Sequence, residues 1–195
     1  RYFDSFEHYY LLYQRRNLDL WAEYADGKVT KEELNRQRYL YPLEAVGAGD
    51  STLAKAYERD ALAMIPTKSK LMPHAREVLE YLSGKYNLYI LSNGFKELQS
   101  HKMRSSGIDE YFKKVVLSDD IGILKPWPEI FHFALSTTQS ELNNSLMIGD
   151  SWENDIVGAA GVGMHQVFYN LSGRTDLPFA PTYQITDLKD LFNFL

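Results

Sequence analysis

The stretch LMIGDSWENDI, residues 146–156, places a short apolar run before a glycine and three acids, Asp150, Glu153 and Asp155. An apolar run that ends in turn residues is typical of a buried strand. Because ionised carboxylates repel one another, a bound dication is a natural reason for these acids to gather in so short a segment. The stretch therefore predicts a buried strand that ends at a metal-binding edge of a sheet.

Strands and helices alternate along the chain from residue 73 onward. Four apolar segments predict strands: YNLYILSNG, KKVVLS, SLMIGD and HQVFYN. Helices are predicted for PHAREVLEYLSG with Pro73 in its first turn, for FKELQSHKMRSSG with Gly107 at its end, and for PEIFHFALSTT, ENDIVGAAGVG and DLKDLFNFL. Such alternation, with few polar residues inside the strands, favours a parallel sheet covered on both faces. The predicted fold class is therefore α/β, with a Rossmann-like core over residues 69–195.

The first part of the chain, residues 1–68, has a helical pattern only. Its Tyr and Trp residues recur near helical spacing and predict a core-facing stripe that is interrupted at Asn17. Thr30 and Glu33 predict a capping box at the start of a second helix, which runs to about Tyr41. A third helix is predicted to start near Asp50. This part is expected to form a small all-helical domain.

The composition excludes several classes of function. A chain of 195 residues, 45% of them hydrophobic, can bury a sizeable core. Its net charge of −5 argues against a large nucleic-acid-binding face. With no cysteine it has no disulfide, no Cys-based zinc site and no Cys nucleophile. No apolar run approaches the ~20 residues that span a bilayer, and no signal peptide is visible. We expect a soluble, cytoplasmic protein that binds neither a nucleic acid polymer nor a membrane.

Polar groups suited to a phosphate and a metal follow three of the predicted elements. Ser92-Asn93-Gly94 comes after LYIL, Lys125 precedes the helix start in GILKPWPEIF, and Asp150 comes after LMIG. Ligands of parallel sheets bind at the carboxyl ends of the strands. A hydroxyl with free backbone N–H groups and a lysine suit phosphate oxygens, and clustered carboxylates suit Mg²⁺.

In this order, S-N-G, K-P-x-P-x-x-F and G-D-S-x-x-N-D resemble the motifs of the haloacid dehalogenase superfamily of hydrolases. The resemblance covers residues 73–170, and residues 1–66 are similar to the small helical cap of that family. It implies a Mg²⁺-dependent phosphatase in which an Asp carboxylate attacks phosphorus and water hydrolyses the acyl phosphate. Because dehalogenase members usually lack such an acidic motif, GDSWEND favours a phosphatase over a carbon–halogen hydrolase.

The resemblance assigns phosphate binding to two segments. Ser92, with the backbone of Asn93 and Gly94, would hold the phosphoryl oxygens, and Lys125 would neutralise the phosphate and the carboxylate that attacks it. Taken alone, S-N-G would be a plain strand-ending turn and Lys125 a solvated lysine. Trp127, between two prolines, is interpreted as packing against the cap, with stacking on a substrate as the alternative.

The resemblance also assigns the acids of the opening stretch. Asp150 would be a direct Mg²⁺ ligand, and Asp155 would orient a metal-bound water or Lys125. Both acids could instead cap the helix that follows them. Glu153 is expected to be solvated or to interact with the helix dipole. Four arginines of the helical part are expected to be solvated, although one of them could meet a substrate anion: Arg15, Arg16, Arg36 and Arg38.

The first motif of the family, D-x-D-x-T/V, carries its nucleophile and general acid, and it does not occur in this sequence. In the family this motif ends a strand that lies between the strands carrying S-N-G and G-D-S. Without that strand, the two neighbouring strands would separate or keep unpaired inner edges. We therefore expect a truncated form of an enzyme of about 230–240 residues, inactive as it stands.

In segments such as LSNGFKELQ and KPWPEIF, the sequence is most similar to those of bacterial nucleotidases that act on pyrimidine 5′-monophosphates. The expected partner is accordingly a small phosphorylated metabolite, with a nucleotide favoured. Two alternatives stay open: a phosphoglycolate- or sugar-phosphate phosphatase, and a non-catalytic binding protein that keeps the fold without the nucleophile.

Overall fold

A computed structural model describes residues 2–195. The chain divides into two compact units, of which one ends at Thr67 and the other spans Lys68–Leu195. No helix within the described residues combines the length and the apolarity that a membrane span needs. The first unit is entirely helical, and all strands of the described chain lie in the second.

The first unit consists of α1 (Phe6–Ala25), α2 (Lys31–Ala45) and α3 (Ser51–Met64), followed by a short 3-10 turn. The predicted capping box at Thr30 and Glu33 is confirmed. The predicted break at Asn17 is wrong, because α1 continues through that residue. One polar residue costs a helix only a few tenths of a kcal/mol, and burial of a helix face outweighs that cost.

Two further expectations for this unit are wrong. Helix α2 continues past Tyr41 and includes Pro42, which is buried between Leu40 and Leu43 in the core of the unit. Packing therefore compensates for the hydrogen bond that a proline removes from a helix. Arg38 is not solvated: only 6% of its surface is exposed.

The second unit alternates strands with helices. Its elements are α4 (Ala75–Ser83), β1 (Leu88–Ser92), α5 (Lys96–Ser106), β2 (Phe112–Leu117), α6 (Pro128–Thr138), β3 (Leu146–Gly149), a π-helical turn (Trp152–Val157) that continues into α7 (Gly158–Gly161), β4 (His165–Tyr169), β5 (Tyr183–Ile185) and a 3-10 segment (Leu188–Asn193). Gly107 ends α5 in the left-handed conformation, as predicted. Pro73 lies outside α4, which begins after His74 at a left-handed φ of 63°.

The strands form two parallel sheets rather than one. Strand β1 pairs with β2, with Ser92 opposite Leu117. Strands β3, β4 and β5 form the second sheet, in which Leu146 lies opposite His165. Each of β1 and β3 therefore has one edge without a strand partner among the described residues. The predicted parallel pairing is confirmed, and the division agrees with the expected separation of the strands that carry S-N-G and G-D-S.

Both faces of the three-stranded sheet are covered. Leu146 and Ile148 of β3 pack with α4 and the C-terminal segment around Val78 and Leu191. Met147, which points the other way as strand alternation requires, packs with α6 and α7. The alternation thus anchors β3 on both sides and fixes where Gly149 and the acidic stretch begin.

Candidate functional site

Lys125 connects the end of β1 to the turn after β3. Its Nζ donates to the carbonyl oxygen of Leu91 at 2.7 Å and to Oδ1 of Asp155 at 2.7 Å. Only 8% of Lys125 and 5% of Asp155 is exposed, so the ion pair is buried. An ammonium has three N–H donors, and no residue of the described chain accepts the third. That donor is available to an anion at this end of the strands.

Asp155 is held by the start of its own helix. Its Oδ2 accepts the backbone N–H of Ser151 at 3.0 Å, while Ser151 Oγ accepts the N–H of Asn154 at 3.3 Å. Ser151 is thus the N-cap, and Asp155 completes a reciprocal capping arrangement. The carboxylate packs against Gly149, where an added Cβ would overlap it. A glycine is therefore required at the end of β3.

Asn93 positions the backbone of Lys125. The Lys125 N–H donates to Asn93 Oδ1 at 2.7 Å, and Asn93 Nδ2 donates to the Lys125 carbonyl oxygen at 3.0 Å. The side-chain amide therefore clamps the segment that carries the lysine, 32 residues away along the chain. Sequence reasoning assigned a phosphate-binding role to the backbone of Asn93 and gave no role to its side chain. No local pattern could have revealed a partner so distant in sequence.

Ser92 lies at the end of β1 and is half-buried. Its Oγ accepts the backbone N–H of Gly94 at 3.0 Å and Nε2 of Gln99 at 2.5 Å. The Gly94 N–H, which was predicted as a phosphate donor, therefore has an internal acceptor in this conformation. Gln99 was absent from the sequence prediction, although it stands in the segment SNGFKELQ that carried the resemblance.

The three acids of the opening stretch have three different environments. Asp155 pairs with Lys125, and Glu153 pairs with Nη1 of Arg174 at 2.7 Å. The hydrogen bond from Arg174 lowers the pKa of Glu153 below 4.5. Asp150 follows Gly149, is exposed, and its carboxylate has no hydrogen bond or ion pair with any described residue. Two of the three negative charges are thus offset internally, and Asp150 alone is left for an external cation.

Within residues 2–195, no group of three or more acids or histidines has the geometry of a metal site. Mg²⁺ in phosphate-handling proteins keeps several waters and is held by one or two carboxylates together with phosphate oxygens. A single free carboxylate at a strand end fits that requirement for one ligand.

Trp127, the N-cap residue of α6, is 50% exposed.

The sequence matches a family of known proteins. A family model described as haloacid dehalogenase-like hydrolase matches residues 2–163. The chain belongs to this family. The predicted membership of the haloacid dehalogenase-like (HAD) hydrolases and the predicted fold class are therefore confirmed.

Two bacterial HAD relatives match nearly the whole chain. The pyrimidine 5′-nucleotidase YjjG of Escherichia coli is 30% identical over 185 residues, which is 94% of this chain and 80% of the relative. The HAD-hydrolase YfnB of Bacillus subtilis is 29% identical over 187 residues, 94% of this chain and 78% of the relative. The chain therefore spans about four fifths of these relatives' length.

Solved structures of HAD proteins show the same architecture. The magnesium-bound crystal structure of YfnB superposes with a TM-score of 0.86 at 28% identity, covering 96% of this chain and 82% of that one. A dehalogenase superposes with a TM-score of 0.80 at 26% identity, covering 97% and 84%. Both a metal-bound hydrolase and a dehalogenase are thus structurally similar to this chain, and the choice between chemistries depends on the site residues.

Proposed function

We propose that the ends of β1 and β3 form a phosphoryl-binding site of a Mg²⁺-dependent phosphomonoester hydrolase. The observation that carries the proposal is the position of Lys125, whose ammonium lies between Leu91 at the end of β1 and Asp155 after β3 and has one free N–H. Ser92 follows Leu91 directly, and Asp150 follows Gly149 directly. A cation, a hydroxyl and a free carboxylate therefore belong to the same two strand ends.

Each residue has a role that its contacts support. Lys125 donates to a phosphoryl oxygen and offsets part of its charge, while Asp155 holds the ammonium in place. The Ser92 hydroxyl donates to another phosphoryl oxygen. Asp150 would hold Mg²⁺, which supplies Lewis-acid stabilisation of the phosphoryl charge when bound. Asn93 keeps the Lys125 backbone at the distance that these contacts need.

The substrate proposed is a pyrimidine nucleoside 5′-monophosphate. The E. coli relative named as a pyrimidine 5′-nucleotidase supports this class, since the match extends over 94% of the chain. Phosphoglycolate and sugar phosphates are the alternatives. The free acid Asp150 favours phosphate chemistry over dehalogenation, because carbon–halogen hydrolysis by a carboxylate requires no metal ligand.

The test is calorimetric titration of the purified chain with orthophosphate, UMP and CMP, with and without Mg²⁺. We expect Mg²⁺ to strengthen binding of these ligands by wild type. Asp150→Asn should weaken binding when Mg²⁺ is present and leave it unchanged when Mg²⁺ is absent. Glu110→Gln, which removes an exposed acid from the 3-10 segment Asp109–Tyr111, is the matched control and should have no effect. Equal binding by Asp150→Asn and wild type in the presence of Mg²⁺ would show that Asp150 is not a metal ligand.

A second candidate is a phosphate-binding protein without catalysis, because the residues at the two strand ends have binding roles and none of them is assigned as the nucleophile. Hydrolysis of p-nitrophenyl phosphate by this chain would favour the first candidate over the second. We expect the chain to bind phosphate without releasing p-nitrophenol from p-nitrophenyl phosphate. An aspartyl-phosphate intermediate on this chain would show that another Asp acts as nucleophile and would overturn that expectation.

A further inference from the structure

The Ser92 hydroxyl has both of its acceptor positions filled. It accepts one hydrogen bond from the Gly94 backbone and a second from the Gln99 side-chain amide. A hydroxyl has one O–H donor and two acceptor lone pairs. No residue of the described chain accepts the Ser92 O–H. The hydroxyl must therefore act as a donor toward whatever binds outside this pair of contacts.

We propose that Gln99 is a positioning residue that fixes the Ser92 hydroxyl as a hydrogen-bond donor for a phosphoryl oxygen. The inference rests on the proposed function and extends it to a residue that touches no substrate. A free serine hydroxyl rotates among several directions and can present a lone pair to an anion, which repels it. With both lone pairs occupied, only the donor remains, and the site is preorganised for an anion before it arrives.

The local structure explains why glutamine suits this position. Gln99 is in the first turn of α5, and its backbone N–H donates to the Phe95 carbonyl oxygen at 3.0 Å. From there the side chain returns over Gly94, where an added Cβ would lie 2.6 Å from Nε2. A glycine at residue 94 thus leaves room for the amide. Glutamine has the length to reach Ser92 and an uncharged donor at its end, whereas glutamate would offer acceptors only.

Two substitutions by side chains about as long as glutamine test the role of its N–H donor separately from the role of its packing. Gln99→Met keeps the bulk and removes the donor, so the hydroxyl regains rotational freedom. Gln99→Glu replaces the donor by an ionised acceptor, which captures the Ser92 O–H and turns a lone pair toward the site. We expect orthophosphate affinity, measured by calorimetry with Mg²⁺, to fall about threefold for Gln99→Met and about tenfold or more for Gln99→Glu.

A double-mutant cycle separates this mechanism from charge repulsion. Ser92→Ala should weaken phosphate binding, and Gln99→Glu should add little in the Ser92→Ala background if it acts through the hydroxyl. A penalty of equal size with and without Ser92 would show that the added charge repels phosphate directly, and it would overturn the inference. Far-UV circular dichroism checks that every variant keeps the fold. The side-chain amide NMR signal of Gln99, which is present in wild type and Ser92→Ala, must differ between these two proteins.

The outcomes distinguish the two proposals. If wild type binds phosphate and Ser92→Ala weakens binding, while both Gln99 variants bind like wild type, Gln99 has no positioning role and the proposed function stands. If wild type does not bind phosphate at all, the proposed function fails and this inference fails with it. A graded loss in the order wild type, Gln99→Met, Gln99→Glu, confined to the background with Ser92, supports both.

Discussion

Among residues 2–195, each unit buries one basic side chain, and the two have different kinds of partner. Lys125 in the second unit pairs with a carboxylate and a carbonyl oxygen. Among the described residues, the Arg38 side chain in the first unit has one hydrogen-bond acceptor, the amide oxygen of Asn35 at 2.6 Å, and its guanidinium lies 5.1 Å from the ring centre of Tyr39. Its Nε is buried without a partner within residues 2–195.

The difference follows from the chemistry of the two cations. An ammonium is a compact, strongly hydrated charge, and burying it requires a counter-charge; a guanidinium is delocalised, less strongly hydrated and stacks on aromatic rings. Lys125 is therefore part of a polar network that holds two of its three N–H groups and includes residues of the proposed site. Arg38 belongs to an aromatic core, in which burial also raises the pKa of Tyr39 to about 12. We therefore expect the stability of the fold to change when Lys125 is given an amide partner or when Arg38 is given a carboxylate partner.

The largest effect is expected when Lys125 receives the kind of partner that Arg38 has. Asp155→Asn keeps the shape and the acceptor for the Ser151 N–H but removes the counter-charge of a buried ammonium. Breaking a buried pair in this way costs about 3–5 kcal/mol, which urea unfolding followed by circular dichroism would detect. Asp176→Asn, at an acid that is 86% exposed, is the control and should change little. A small cost for Asp155→Asn would mean that the Leu91 carbonyl alone suffices for Lys125.

A methyl group at Gly149 should displace the same carboxylate without altering any charge. The added Cβ overlaps Asp155, so Gly149→Ala is expected to destabilise by about 1–3 kcal/mol, as overpacking does. Gly161→Ala in α7 is the matched control, because a Cβ there meets nothing within 4 Å. We expect that control to be neutral or slightly stabilising. Equal unfolding free energies for the two variants would show that β3 can shift to accommodate the methyl group.

The contacts in these predictions show where sequence reasoning succeeds and where it ends. Helix α6 has the predicted bounds because Pro128 starts it and an apolar face continues to Thr138. Local chemistry likewise gave the Thr30 cap. Strand β5 was missed, since its three residues are too few for a periodic signal. The links of Lys125 to Asn93 and Asp155 join residues at least 30 positions apart, and only the folded sheet brings them together.

The reciprocal change gives Arg38 the kind of partner that Lys125 has. Asn35→Asp converts a 2.6 Å hydrogen bond on α2 into an ion pair of the same length. We expect stabilisation by about 0.5–1 kcal/mol, more than an exposed helix pair provides, because the site is half-buried. The gain should disappear in acid as the new carboxylate is protonated. Gln37→Glu adds the same charge on another face of α2; an equal gain there would assign the effect to the helix rather than to Arg38.

The smallest effect is expected for the exposed ion pair of the acidic stretch. Glu153 is 68% exposed in its pair with Arg174, and the hydrogen bond from Arg174 lowers its folded-state pKa below 4.5. A depressed pKa stabilises the fold above the unfolded value, and that contribution is lost as the pH falls through the folded value. Glu153→Gln should therefore be slightly less stable than wild type at pH 7 and equal to it well below pH 4.5. Urea unfolding of both proteins across this range measures the difference. A loss as large as that of Asp155→Asn would contradict the view that burial, rather than the presence of an ion pair, sets the strength of these contacts.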